Sequence, residues 1–343
     1  MRIVDVRATH PITERTPKDW RGQLGQILVA VGTDDGLTGT GVGGGGPAGV
    51  EVVQTVLRDA LMGEDPADVE ELWARMYRRT LPFGRKGLAI MALSGVDLAL
   101  WDLRGKAAGK PAADLLGDAV GQTVPTYLGV NSADGVAERA EGYRGVKIHL
   151  SGLDPETSFD RIVTLVRDVR GSLGPEKELM MDAAMRWDLP FALKVARQVA
   201  DCDLVWLEEP LPADDFEGYA LLNRESPIPI AGGEHEFTAA GFEELMTRGL
   251  HAIYQPDVCW CGGLTELVKI YGLAQQYGFR VCPHRGSEVW ALHAIASIDP
   301  DPLAETGRPW MTWVEGQPPI ENGVIRLGDA PGFGVRFDER LWD

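Results

Sequence analysis

Short apolar runs recur along the second half of the chain, and almost every one ends on an acid or a histidine. The runs are LMMD at Asp182, LVWLEEP at Glu208, IPIAGGEHE at Glu234, AIYQPD at Asp257, FRVCPH at His284 and PLAE at Glu305. Their intervals are 26, 26, 23, 27 and 21 residues (208−182, 234−208, 257−234, 284−257, 305−284). Between the runs lie segments such as SFDRIVTLVRDVRGSLG and LTELVKIYGLAQQYG, with apolar residues at helical spacing. A strand plus a helix takes about this length, so the rhythm predicts an α/β protein with a parallel sheet. Strands are expected near 125–129, 144–149, 178–182, 204–208, 228–233, 252–256, 279–283 and 302–305. Eight is the number that closes a β/α barrel, whose strand C-termini all open on one functional face.

The N-terminal part has a different texture. MRIVDVRATH and GQILVAVGTDDG alternate like two antiparallel strands joined by the polar loop TERTPKDWRG. DDGLTGTGVGGGG turns at Asp-Gly and continues as a strand of small residues. Residues 49–115 read as helices, and GLAIMALSGVDLALWDLRGKAAG is apolar on nearly every face, as a buried helix must be. KPAADLLG closes this region with a proline break. The tail, PPIENGVIRLGDAPGFGVRF, reverts to turns and short strands and is expected to pack on the N-terminal part. The expected division is an α+β domain at 1–117, completed by 318–343, and a barrel at 123–317.

Composition narrows the function. The chain has 343 residues, 44% hydrophobic and 24% charged, with a formal net charge of −18. Nucleic acid and anionic membrane surfaces call for a basic face and are disfavoured as partners. An anionic small molecule is still compatible, since a bound metal reverses the local sign. Cys202, Cys259, Cys261 and Cys282 form no CxxC pair and read as reduced, buried thiols. The start lacks a signal-peptide pattern and no apolar run approaches 18 residues, so a cytoplasmic protein is expected. GVGGGG is not a GxGxxG turn opening a helix, and there is no GxxxxGK[ST].

Asp182, Glu208 and Glu234, on three consecutive strand ends, suit a hard divalent cation such as Mg²⁺. Strand alternation allows one glutamate of LEEP to face inward; Glu208 is the choice and Glu209 the fallback. Lys147 and His149 in GVKIHL face the same side of one strand, where they can stabilise negative charge and move protons. Asp257 and His284 end adjacent strands, so the carboxylate can orient the ring as an acid or base. Glu305 can donate a proton or a hydrogen bond if its pKa is raised. His235, Arg186, Trp20 and Arg21 complete the candidates as substrate contacts.

SGVDLALWDLRGKAAGKPAADLLG, the K-x-H strand, MMDAAMRWD, WLEEPLPADD, GGEHE, QPDVCWCGGLTE and CPHRGSEVW together resemble the enolase superfamily, mandelate racemase subgroup. The resemblance runs over almost the whole chain. EEPLPADDFEGYALL, GGEHEFTAAGF and QPDVCWCGGLTELVKI are most similar to the L-rhamnonate dehydratase branch of acid-sugar dehydratases. It implies a (β/α)₇β barrel under an α+β capping domain, with Mg²⁺ held by Asp182, Glu208 and Glu234. It further implies Lys147 and Glu305 at the substrate carboxylate and a catalytic His284–Asp257 dyad. The implied reaction removes the C2 proton of an aldonic or aldaric acid through a metal-stabilised enediolate. Loss of the 3-hydroxyl then gives a 2-keto-3-deoxy acid. A homo-oligomer, an octamer or a smaller even assembly, is the family habit. The family's racemases carry a second lysine where this chain has His149, and the loop TERTPKDWRG departs from the rhamnonate pattern. The alternatives are a racemase or epimerase using His149 and His284, and a non-catalytic barrel.

Overall fold

The protein is described from a computed structural model covering residues 1–11, 24–117, 123–155, 157–307 and 313–342. Strands β1 (Ile3–Thr9), β2 (Ile27–Thr33) and β3 (Thr38–Gly43) form an antiparallel sheet in that order. Asp34 to Gly36 make the β2–β3 turn, where Gly36 takes φ 88°.

The glycines of β3 explain how this sheet meets its helices. The helix Leu88–Ala108 is buried on nearly every face. A Cβ on Gly39 would stand 2.0 Å from the Ala99 carbonyl oxygen, on Gly41 2.3 Å from that of Gly95, and on Gly43 2.4 Å from that of Met91. Every second residue of the strand therefore meets every fourth of the helix. The two spacings match, at roughly 6.6 Å and 6 Å. The helices Gly46–Val52, with a π-helical continuation at Val53–Leu57, and Val69–Thr80 complete this layer.

Eight strands follow: β4 (Thr123–Val130), β5 (Gly145–His149), β6 (Glu178–Asp182), β7 (Leu204–Glu208), β8 (Ile230–Gly232), β9 (Ile253–Tyr254), β10 (Arg280–Val281) and β11 (Ala304–Glu305). All eight fall where the apolar runs predict them. β4 to β10 pair in sequence order, parallel throughout, and β11 returns to pair with β4. The Ser287 N–H donates to the Glu305 carbonyl at 3.0 Å across the seam between β10 and β11. No helix follows β11 until the short 3₁₀ turn Glu339–Trp342, among the described residues. β9 and β10 are shorter than expected because Pro256 and Pro283 have no N–H to continue a ladder.

The barrel is filled by a layer of Tyr127, Met180, Trp206, Ala231, Ile253, Cys282 and Leu303. Two residues further along a strand, the side chain returns to the same face. Met180 thus leads to Asp182, Trp206 to Glu208, Cys282 to His284 and Leu303 to Glu305.

The tail divides its contacts. β13 (Ile320–Glu321) and β14 (Val324–Arg326) form a hairpin that extends antiparallel from β4 of the barrel, after the short strand β12 (Val314–Glu315). Further on, the Phe333 N–H donates to buried Asp102 on the long helix, and Arg7 of β1 lies 5.0 Å over the Trp342 ring. Long helix and barrel are also tied directly. Asp97 accepts from the Thr265 N–H (3.0 Å) and hydroxyl (2.6 Å) at the start of helix Leu264–Tyr277. The Gly262 N–H donates to Ser94 Oγ, and Trp73 Nε1 donates to the Gly262 carbonyl. No helix among the described residues is long and apolar enough to cross a membrane. The four cysteines are buried and unpaired by disulfides.

Candidate active site

The polar strand ends meet at the C-terminal mouth of the barrel. Lys147 on β5 is buried; its Nζ donates to Glu208 Oε1 at 2.6 Å and lies 2.7 Å from Glu305 Oε1. Burial alone would strip the charge from this ammonium, but the two carboxylates hold its pKa well above the ordinary lysine value. His149, two residues on, places Nδ1 3.2 Å from Asp182 Oδ2. Asp182 and Glu208 are register partners on neighbouring strands. Burial pulls the Asp182 carboxyl up, yet His149 and Lys147 outweigh it and bring it down to about 2.

Glu208 does point inward, and both its oxygens are engaged. Trp206 Nε1 donates to Oε2 at 3.0 Å and Gln255 Nε2 at 2.9 Å. Burial raises this carboxyl, Asp182 and Glu305 add to the effect, and Lys147 opposes it. Glu209 bonds a different set of partners at the same mouth. Its backbone adopts φ 35°, and its carboxylate takes His235 Nδ1 at 2.7 Å. Of the seven non-glycine residues with positive φ among those described, Ala184, Met185, Glu209 and Arg285 lie in loops at this mouth and Thr238 opens the helix Thr238–Thr247. Backbone strain of this kind concentrates at functional sites.

Glu234 stands beyond β8, after Gly233 swings the chain at φ 119°. Burial, with Glu209 and Glu208 nearby, pushes its carboxyl up to about 8 against His284 and His235. Ligand atoms of Glu209, Glu234 and His235 lie within 4.8 Å of one another, the one such group of three among the described residues. Asp182 and Glu208 do not join Glu234 in so tight a group. They are drawn instead toward His149 and Lys147.

His284 sits 2.9 Å (Nδ1) from Asp257 Oδ2 and 3.5 Å (Nε2) from Glu234 Oε2. Burial would favour a neutral ring, but Glu234, Asp257 and Glu305 outweigh it and raise the pKa to about 10. Asp257 is held down at about 2 against burial by Arg285 and His284. Glu305 is not the raised acid the sequence left open. Burial pulls it up, but Lys147, His284 and His149 hold it near 2, and it accepts the Arg285 N–H at 2.9 Å. Arg186 is exposed and donates to the Ser151 carbonyl at 2.8 Å, and His235 is partly buried between Glu209 and Glu234. Trp20 and Arg21 lie outside the described residues.

Two family models cover this architecture: the mandelate racemase/muconate lactonizing enzyme N-terminal domain over residues 2–117, and the enolase C-terminal domain-like model over 131–341. The chain belongs to the mandelate racemase/muconate lactonizing enzyme family. Among this family's members, L-rhamnonate dehydratase of Saccharopolyspora erythraea is 38% identical over 332 residues, 93% of this chain and 84% of the relative. The structure of rhamnonate dehydratase from Gibberella zeae complexed with Mg matches with TM-score 0.86 at 28% identity, over 99% of this chain and 95% of that one. A racemase from Streptomyces coelicolor with bound magnesium matches with TM-score 0.85 at 32% identity, over 99% and 98%.

Several residues at this mouth escaped the sequence reading. Arg285 clamps Asp257 through Nε (2.8 Å) and Nη2 (2.9 Å). Trp260 stands between His235 and His284, with ring centroids 5.7 and 5.8 Å away. Lys86, from the capping region, reaches Glu236 at 2.6 Å. Gln255 was within reach, lying two residues past inward-facing Ile253, but an amide two before the aspartate carries no pattern of its own. Lys86 is 150 residues from its partner, a pairing no local pattern reveals.

Proposed function

We propose that this protein is a Mg²⁺-dependent acid-sugar dehydratase, a hydro-lyase resembling the L-rhamnonate dehydratases. The observation that carries the reading is the Asp257–His284 dyad, whose free ring nitrogen faces Glu234 at 3.5 Å while Lys147 and Glu305 pair nearby.

Asp182, Glu208 and Glu234 would hold the metal. The donors are all carboxylate oxygens, the choice of a hard cation. They also fit on charge, because the Glu234 carboxyl is pushed up by burial among acids that positive charge would relieve. Bound there, Mg²⁺ supplies Lewis-acid stabilisation of the substrate carboxylate as the α-proton leaves. Lys147, held charged by Glu208 and Glu305, contributes a fixed positive group to the same charge. Asp257 and Arg285 fix the tautomer and orientation of His284.

The substrate is a 2,3-dihydroxy carboxylate. In the syn route, His284 must first shed its own proton; it then takes the C2 proton and returns it to the 3-hydroxyl, which departs as water as the C2–C3 double bond forms. In the anti route, His149 takes the C2 proton and His284, protonated between Asp257 and Glu234, delivers a proton to the leaving hydroxyl. Either way the enol tautomerises to a 2-keto-3-deoxy acid. His284→Asn is expected to lower dehydration by at least about 10²–10⁴-fold, with Mg²⁺ affinity by calorimetry unchanged. Full turnover by that variant would remove His284 from the mechanism.

A racemase or epimerase is the second reading, favoured by His149 beside Asp182, a second imidazole at the same mouth. It predicts solvent deuterium entering C2 of unreacted substrate without loss of water.

A further inference from the structure

Glu208 has more donors than an isolated metal-binding carboxylate needs. Lys147 occupies Oε1; Trp206 and Gln255 converge on Oε2 at 3.0 and 2.9 Å. Gln255 is 1% exposed and Trp206 is fully buried. Gln255 reaches Glu208 from β9, two strands away, past the small residues Ala231 and Gly232 of β8.

The orientation of the Gln255 amide follows from chemistry. A carboxylate only accepts, so the NH₂ end must face Glu208 and the carbonyl must face away. That carbonyl Oε1 is buried and meets no donor among the described residues. A buried acceptor without a partner is a cost to folding. A methionine of similar length would fill the space without it. Gln255 thus spends stability at a position where, among the described residues, its side chain bonds to Glu208.

We propose that Gln255, together with Trp206, is a positioning residue for the metal site. The two N–H groups pin Glu208 Oε2 toward Trp206 and β9 and restrict rotation of the carboxylate, so that Glu208 presents one fixed geometry to the divalent cation. The proposal rests on the reading that Glu208 is a metal ligand. Outer partners of this kind typically set metal affinity by about 10–100-fold.

The test uses the full-length protein stripped of divalent metal with EDTA, titrated with Mg²⁺ alone in a calorimeter, alongside thermal melting of the metal-free form. Glu208→Gln, the control, is expected to lose Mg²⁺ binding. Gln255→Met is expected to weaken Mg²⁺ by about 10–100-fold while the metal-free melting temperature stays level or rises. That opposition separates positioning from scaffolding, because a purely structural glutamine would lower both. Trp206→Phe, which keeps an aromatic ring against Tyr127 but removes the N–H, is the second variant should Gln255→Met fold poorly, and is expected to weaken Mg²⁺ likewise. Loss of binding in Glu208→Gln with Kd within twofold of wild type in Gln255→Met and Trp206→Phe overturns the proposal alone. Wild-type binding by Glu208→Gln overturns the metal reading and the proposal with it.

Discussion

Lys147, buried between Glu208 and Glu305 at 2.6 and 2.7 Å, keeps its charge at the centre of the barrel mouth. Asp182, Glu208, Glu234, Asp257, His284 and Glu305 were visible as polar residues closing apolar runs. Both glutamates of LEEP are buried at the mouth, Glu208 beside Lys147 and Glu209 beside Glu234 and His235. What stayed hidden was charge state. Glu305 reads as a possible raised acid until Lys147 is found 2.7 Å away and holds it ionised. Histidines illustrate the same point in reverse. His293 is buried beside Phe333 with Nδ1 accepting the Ala113 N–H, and burial lowers its pKa to about 3. The folded state therefore excludes a proton that the unfolded chain binds below about 6.5. The contribution is complete above that pH and is lost progressively as pH falls, levelling off near 3. Relative to His293→Gln, wild-type stability is expected to drop by about 1.4 kcal/mol per pH unit in that window. Parallel urea titrations at pH 7, 6, 5 and 4 would check it; a difference that does not vary with pH would contradict it.

Elements were legible where period and length agree. The eight barrel strands were found by their apolar runs, though β9 and β10 end early at Pro256 and Pro283, and β8 needs Gly233 to bring Glu234 round. The glycine-rich strand β3 was recognised as a strand of small residues, but not for what its glycines do. They let a buried helix approach to backbone contact, a tertiary fact with no local signature. Gly41→Ala is accordingly expected to destabilise by at least about 1–3 kcal/mol, since its Cβ would sit 2.3 Å from the Gly95 oxygen and 2.6 Å from the Ala99 nitrogen. Gly272→Ala, in helix Leu264–Tyr277 with nothing within 4 Å of the added carbon, is expected to be neutral or to stabilise by up to about 1 kcal/mol. Denaturant melts of the pair measure the contrast directly; equal effects would refute this account of the packing.

For the molecule as a whole, the division of labour is between a barrel that carries the polar strand ends and a capping layer tied to it through Asp97, Ser94, Trp73 and Lys86. The barrel was readable because a parallel α/β chain repeats its strand–helix unit at near-constant intervals. The tail was less so: it was expected on the N-terminal part, and it pairs with β4 of the barrel before reaching the long helix and β1. Long-range pairing of short strands leaves little trace in local pattern. Chemistry rather than fold decides among the family's reactions. The most direct measurement is to incubate the purified protein with Mg²⁺ and a panel of aldonic and aldaric acids and to detect 2-keto-3-deoxy products with semicarbazide. Product is expected from at least one acid, abolished by EDTA and by His284→Asn. Silence across the panel with Mg²⁺ bound, accompanied by deuterium uptake at C2 without loss of water, would contradict it in favour of epimerisation.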